Sequence, residues 1–541
     1  MAVLVDKVQF CQKAVNLVKW TTAQVKSQSN HLFEKHQPMM SLYQTLAEHF
    51  YPERADFTTT RNIGQELADS LVDSYPVLVR RDLGNSFNAM LRDGDWFNIG
   101  IDGTPDHLGA SWLQHSTRRL RKLMGSRESN FVRATKEGDH DYATFGQTVI
   151  SVEMNKKNDG LLFRCWHLRD VAWFDDESGQ VGGVVRRWKP TYHQLDQTFG
   201  EDKLHENCNE KVKTNPFKEA NITHMVLPSD MYGDEKIESK FPYVSIYIDM
   251  DNEHIIEEVG MNHKMYVVPR FQTIAGSQYA YSPATVVGLP DARALQSMTH
   301  TLLEAGERYA RPPIIATQKV IRGDVDLAPD GITWVDNEYD EKMGASLRPL
   351  SQDRGGFPIG LEMRENIVEV LSSAFYLNKL SLPDTNRDMT AYEVSERMKQ
   401  FRRENLPLFA PIESEYNGQL CEIAFSIAMS AGFFGSPMDI PDSLKGREVQ
   451  FRFISPLSQS EEEERANKFA QTSKLLAEAA QFDQGVELNV NFDEAVRDAV
   501  MGIGAPASWL ANEEEVEVKR QQIAMQQAAM AAMEQGVTGG Q

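Results

Sequence analysis

Residues 388–397 read Asp388-Met389-Thr390-Ala391-Tyr392-Glu393-Val394-Ser395-Glu396-Arg397. Thr390 followed three residues later by Glu393 is a capping box. The Thr hydroxyl accepts the amide proton of the third helical residue, and the Glu carboxylate reaches back to the cap. A helix therefore starts at Thr390, directly after a polar segment, 378–388, that holds Pro383, Asp384 and Asn386. Across Gly356 to Gly432 the pattern is a helix, a polar loop and a long interrupted helix. Taken alone, the motif marks a capped core helix and no more.

Working upstream, Pro358 and Gly360 lead into a helix over Leu361 to Leu377. Its core face is Ile367, Val368, Leu371 and Phe375. Glu362, Glu365 and Glu369 share the opposite face at spacings of 3 and 4. Like charges in a stripe disfavour an isolated helix, so this face meets water, a channel or a basic neighbour. Leu289 to Arg311 is another helix, with Leu295, Met298, Leu302, Ala305 and Tyr309 forming a packing seam. Pro312-Pro313 stops it, and short strands follow at 314–316, 331–335 and 347–350. Downstream, the capped helix runs to Leu406, breaks at Pro407 and Pro411, and resumes to Gly432, a natural C-terminal stop. Val449 to Ile454 is a strand. Glu461 to Phe482 is a helix with Phe469, Leu475 and Leu476 as apolar contacts, and Asn491 to Gly502 is another. Residues 513–534 are polar and rich in Gln, Ala and Met, either helical or disordered, and 536–541 are expected to be loose.

In the N-terminal half, Val8, Cys11, Val15, Val18, Val25 and Leu32 keep one helical face, predicting helix to about residue 50. His31 and His36 read as surface residues of that helix. Gly64 to Arg92 reads as a second helix with core positions Leu67, Leu71, Leu78, Leu83, Phe87 and Met90, kinked at Pro76. Trp96-Phe97 opens a strand. Leu108 to Met124 is helical and ends in Arg118, Arg119, Arg121 and Lys122, with Arg127 beyond; this cluster reads as a solvated face, intersubunit ion pairs or phosphate contacts. From Gly146 the texture turns to strands at Thr148 to Glu153, Leu161 to Leu168, Val181 to Trp188 and Tyr243 to Asp249, with a helix at Tyr192 to Phe199 and a surface loop over 202–220. The fold class is thus α+β, mainly helical.

Composition narrows the function. With 56 Lys and Arg against 78 Asp and Glu, the formal charge of the 541-residue chain is −22, which argues against general nucleic-acid binding but leaves an acidic channel or local basic patches open. The four cysteines, Cys11, Cys165, Cys208 and Cys421, are far apart and read as reduced thiols. No signal peptide and no membrane-spanning run is expected. GxxxxGK[ST], HExxH, GxSxG and metal-spaced Cys/His sets are all missing from the sequence. Asp249, Asp251 and Glu253 alternate at a strand end, where a solvated terminus is favoured over a divalent-ion site. Together these favour a structural role: no catalytic residues, cofactor or metal are expected.

Read in chain order, a series of short segments resembles the portal (head-to-tail connector) family of short-tailed phages. They are Tyr51-Pro52-Glu53-Arg54 with Phe57, Leu71-Val72-Asp73-Ser74, Trp96-Phe97 and Ser129-Asn130-Phe131. Asp141, Phe145-Gly146, Pro269-Arg270, Tyr279 to Pro283, Leu289-Pro290-Asp291 and Pro312-Pro313 follow. Met389-Thr390-Ala391 with Glu393, Val394 and Arg397, and then Ser455-Pro456-Leu457, complete the series. Tyr281-Ser282-Pro283 departs from the family, where a small Gly-containing segment is usual.

The resemblance implies a ring of about twelve subunits around a channel for double-stranded DNA at one capsid vertex. It implies docking of the terminase large subunit during packaging and of tail adaptor or nozzle proteins later, with scaffolding, major capsid and internal core proteins as further neighbours. The ring would be assembled in the host cytoplasm and carried in the virion. The implied layout is a wing over 1–288, a first stem helix over 289–311, a clip over 312–355 and a second stem helix over 356–377. A tunnel loop over 378–388, a wing-to-crown helix over 389–432 and a crown or barrel over 433–541 complete it. Lys379, Asn386 and Arg387 become tunnel-loop candidates for DNA contact, Glu362, Glu365 and Glu369 a channel-facing acidic stripe, and Thr390 and Glu393 the cap that anchors the loop. Lys319, Arg322 and Trp334 become clip docking candidates. The alternatives are another capsid-vertex or adaptor protein without an axial channel, and a metal-dependent nuclease using Asp249 and Asp251.

Overall fold

The structure, a computed structural model, describes residues 19–310 apart from 63, 69–70, 93 and 104. It also describes 314–316, 347–349, 356–380, 412–453 and scattered helical residues between 469 and 526. Helix and sheet are mixed through these segments, as the α+β reading requires.

Helix α1 (Thr22–Phe50) begins at a capping box in which Thr21 and Gln24 satisfy each other's backbone amides. Its buried stripe includes Val25, Leu32, Met40, Tyr43 and Phe50. His36 lies on this stripe, which corrects its reading as a surface residue. It is buried, with Nδ1 2.9 Å from the Tyr279 hydroxyl and Nε2 3.0 Å from the Leu168 carbonyl oxygen. His31 is exposed. Helix α2 (Tyr75–Leu91) is shorter than the sequence reading of 64–92. Pro76 sits in its first turn, where its missing N–H costs nothing, and so starts the helix rather than kinking it. Leu67 and Leu78 are exposed, while Val79, Leu83, Phe87 and Leu91 form the buried face.

Strand β1 (Phe97–Ile101) is followed by α3 (His107–Met124), capped by Asp106, and α4 (Phe131–Phe145). Strands β2 (Val149–Met154) and β3 (Leu161–Trp166) form a hairpin, and β4 (Val171–Asp175) and β5 (Val181–Trp188) form another. Helix α5 (Tyr192–Phe199) carries a Thr191/Gln194 capping box. The segment expected as a loop over 202–220 instead contains α6 (Glu206–Thr214), whose Cys208 is buried. Strand β6 (Ile222–Pro228), the short helices α7 (Ser229–Tyr232) and α8 (Glu235–Glu238), and strands β7 (Tyr243–Asp249), β8 (His254–Met261) and β9 (Tyr266–Val267) complete this half. One sheet has the order β4-β5-β6-β7-β8, the other β3-β2-β9, with every pairing antiparallel.

A π-helical turn over Ala284–Gly288 leads into α9 (Leu289–Ala310). Strands β10 (Ile314–Ala316) and β11 (Leu347–Pro349) pair with each other, and α10 (Gly356–Ala374) returns alongside α9. After Tyr376, held at φ 60°, α11 (Leu377–Leu380) forms one further turn, so the segment read as a loop from 378 opens in helix. Beyond 411, a π-helical stretch over Ile412–Gly418 continues into α12 (Gln419–Ser430). Gly432 adopts φ 74°, the left-handed conformation expected of a residue just past a helix end. Strand β12 (Val449–Phe453) pairs antiparallel with β1, Phe97 opposite Phe453 and Ile101 opposite Val449. Phe434, Ile440, Leu444 and Val449 join the same core as α2, α3 and α4. The chain over 433–453 thus packs into the same core as the N-terminal elements. Residues 469–476 are helical as expected, but Leu475 is exposed.

Candidate functional site

Among the described residues, the helical hairpin of α9 and α10 is only sparsely covered by its own chain. On α9, Ala292 and Leu295 are buried, but Met298, Leu302 and Ala305 are only half-buried and Leu303 is exposed. On α10, Leu371 and Phe375 are buried at the base, whereas Ile359, Leu361, Met363 and Val370 are exposed. Leu295, Met298, Leu302 and Ala305 of the seam read from the sequence are wholly or partly covered, and away from the base each helix packs, among the described residues, mainly on the other. Gly360 permits that approach: a Cβ there would stand 2.8 Å from Leu302 Cδ2.

The base is held by two devices. The first is apolar. Phe375 is fully buried, its ring centroid 5.5 Å from that of Phe50 at the end of α1. Burial of such a side chain contributes about 1.5–3 kcal/mol. The second is polar and centres on Asp73, in the loop before α2. Arg364 Nη2 of α10 lies 2.8 Å from Asp73 Oδ2, and Thr299 Oγ1 of α9 donates to the same oxygen at 2.9 Å. Gln296 of α9 accepts from the Val72 and Asp73 amides, each at 2.8 Å, and donates to the Asp73 carbonyl at 2.6 Å. Tyr75 and Ser372 share a further hydrogen bond. Burial alone raises the Asp73 pKa, but the Tyr75 amide, Arg364 and Thr299 outweigh it, and the carboxyl is held below its ordinary range. Three chain segments are thus tied through one carboxylate.

Glu362, Glu365 and Glu369 are all exposed on α10, so their common face looks away from the hairpin seam. Lys379 falls within α11. Asn386, Arg387, Thr390, Glu393, Lys319, Arg322 and Trp334 lie outside the described residues. The Asp73–Arg364 tie was not foreseen. Its signal was present: Asp73 stands in one of the quoted segments, and Arg364 is a lone cation among the α10 carboxylates.

Those quoted segments coincide with joints of the fold. Arg54 makes a two-point pair with Asp141, at 3.1 and 2.8 Å. Phe57 meets Phe145 edge-on at 5.1 Å. Trp96 stacks on Phe131 and Phe453. Arg270 bridges Asp175 and the Gly179 carbonyl. Gly146, at φ 78°, lies so close to the next segment that a Cβ would stand 2.6 Å from the Tyr281 carbonyl carbon. Beside it, Ser282 donates to the Thr144 carbonyl and accepts from the Thr285 amide, fixing the entry to α9. In this way Tyr281-Ser282-Pro283 starts the π-helical turn without a glycine of its own.

Asp249, the nuclease candidate, is not a solvated strand end. It is buried, and its carboxylate accepts from the Asp251 and Asn252 amides, the Asn252 side chain and the Cys208 thiol. That set closes the β7–β8 turn. Among the described residues no cluster of His, Cys, Asp or Glu is arranged to hold a metal, and no helix is long and apolar enough to cross a membrane.

The chain matches the family described as bacteriophage head to tail connecting protein over residues 22–510, and it belongs to that family. It is a structural protein of the phage virion. It is 21% identical over 462 residues to the portal protein of Salmonella phage epsilon15, a match covering 82% of this chain and 80% of that protein. Among solved structures, a chain from the virion of a native gene transfer agent particle covers 74% of this chain and 86% of its own length, at 9% identity and a TM-score of 0.34, too low to bear on the fold.

Proposed function

We propose that this connector is the portal: a ring of about twelve copies at one capsid vertex, whose channel passes double-stranded DNA during packaging and ejection. The observation that carries the reading is the α9–α10 hairpin, sparsely covered by its own chain and bearing an exposed row of Glu362, Glu365 and Glu369. Repeated around a ring, each position becomes a belt of negative charge. Such a wall repels phosphates and gives DNA no fixed resting point. The exposed apolar residues of the hairpin are then covered by neighbouring copies. In this reading α9 and α10 are the stem, the chain between them the clip, and the segment after α11 the tunnel loop. The clip takes the terminase large subunit first and tail adaptor proteins later, and the capsid and scaffolding proteins meet the wing. The ring conducts DNA without catalysis of its own.

Projection images of the purified protein, with its native mass, test this directly. A ring with a central hole wide enough for duplex DNA is expected. A monomer or dimer under all assembly conditions refutes it. Within rings, Glu362→Lys with Glu365→Lys and Glu369→Lys should make the wall adhesive, so that DNA is retained and packaging stalls. Unchanged packaging by the triple variant would remove the stripe from the channel.

A further inference from the structure

Two surfaces at opposite ends of α3 are uncovered in a single copy, and they complement each other. At the N-terminal end a cleft of about 700 Å³ lies between α3 and the segment 438–443. Trp112 and Ile440 line it, Leu108 and Met438 stand 68% and 89% exposed, and Asp439 and Asp442 add negative charge. Asp442 is paired with Lys445, yet its side chain is 94% exposed and open to a second cation. At the C-terminal end Arg118, Arg119, Lys122 and Arg127 are exposed, and none of them forms an ion pair among the described residues. Val132, in the first turn of α4, is 64% exposed. In a chain of net charge −22, these four exposed cations at one helix end make a local positive patch.

The two ends are about 27 Å apart along an 18-residue helix, so one copy cannot satisfy itself. Because the complementary surfaces differ, a contact between them is head-to-tail, and repeating it generates a closed ring when the rotation closes. We propose that the basic end of α3 in one copy seats against the acidic, apolar cleft at the other end of α3 in the next, with Val132 meeting the Leu108 and Met438 rim. This contact rests on the ring reading and gives it a specific surface, separate from the hairpin. Opposite charge sets the direction of assembly, and the apolar rim supplies the desolvated centre.

The test uses the full chain and charge reversal in both directions. Arg118→Glu with Arg119→Glu and Lys122→Glu, and separately Asp439→Lys with Asp442→Lys, should each lower the ring fraction at fixed concentration by at least about tenfold, as like charges are brought together. Combining the two sets should restore most of the rings. As an independent check that leaves charge largely intact, Met438→Cys with Arg119→Cys should give a ladder of disulfide-linked oligomers on oxidation, and neither single variant should. Wild-type protein that forms no ring overturns the ring reading, and this contact with it. Rings that persist in both reversed variants, or that the combination fails to restore, overturn the contact alone. Intact rings of the Arg118/Arg119/Lys122 variant that lose only their hold on duplex DNA also overturn it, and assign the basic end to DNA.

Discussion

Replacing Arg364 by Ala should release the hairpin from the body without unfolding the body. Asp73 is 6% exposed and Arg364 about a third exposed, so the pair is neither fully buried nor freely solvated. Removing Arg364 leaves Asp73 with the Thr299 hydroxyl and the Tyr75 amide as donors. The loss is then that of one charge-assisted contact, about 2 kcal/mol, short of the 3–5 expected for breaking a fully buried pair. Native-state hydrogen exchange is the suitable assay, because it resolves local opening from global unfolding. Amides at the base of α9 and α10 should exchange roughly thirtyfold faster, while those of β5 and β6 stay unchanged. Arg308→Ala removes a surface pair with Glu304, spaced i, i+4 along α9, and serves as the control, with an expected loss of roughly 0.5 kcal/mol or less. The folded pKa of Asp73 is lowered. The contribution of the tie is therefore complete above about pH 4 and disappears as the pH falls through that lowered value. Equal exchange in the two variants, or faster exchange spread evenly over the body, would refute the account of Asp73 as the joint of the hairpin.

Three more outcomes follow from other sites. Arg92 and Asp139 are paired at 2.7 Å and almost fully buried, so Asp139→Ala alone should cost about 3–5 kcal/mol in denaturant unfolding; Arg92→Met with Asp139→Leu should cost clearly less than the sum of the single changes, and a strictly additive result would count against the pair. Burial, opposed by the Leu168 carbonyl, pushes the His36 pKa down to about 4, so its contribution is whole above pH 6.5 and is lost as the pH falls from there toward 4; His140, His224 and His263 are shifted down too, so His36→Gln should make the stability profile shallower in that window without abolishing its slope, and an unchanged profile would show that His36 is not among the sensitive groups. On the capping box read from the sequence and the proposed ring, Thr390→Ala should cost about 1 kcal/mol per subunit and impair packaging more than ring formation; lost rings with normal packaging by the residual particles would make Thr390 plain core support.

What the sequence disclosed depended on how local each signal was. Helix α5 was legible to the residue because Thr191 and Gln194 cap it and Gly200 ends it. Strands β5, β7 and β12 showed as β-branched or alternating runs between turns. Pro76 misled because the same residue that breaks a helix interior also favours a helix start, and only the loop before it distinguishes the two. Strand β6 carries His224 amid apolar residues, and that histidine is satisfied from other strands, by Tyr266 and Ser245, which no local pattern reveals. His36 hid in the same way, its partners lying 132 and 243 residues away. Of the candidate site, the carboxylate stripe followed from helical spacing, but the Asp73–Arg364 tie spans 291 positions and required the fold.

The pairing of β1 with β12 also sets a schedule for synthesis. Phe97, Ile99 and Ile101 leave the ribosome early, but the strand they pair with ends only at Phe453. At about 5–20 residues per second, translating the roughly 350 residues between them takes on the order of 20–70 seconds. Throughout that interval β1 is an unpaired edge rich in apolar side chains, a template for the wrong partner. Completion of the body thus waits until synthesis has passed Phe453. A nascent chain cannot finish the domain that holds α3 until Val449–Phe453 has been made.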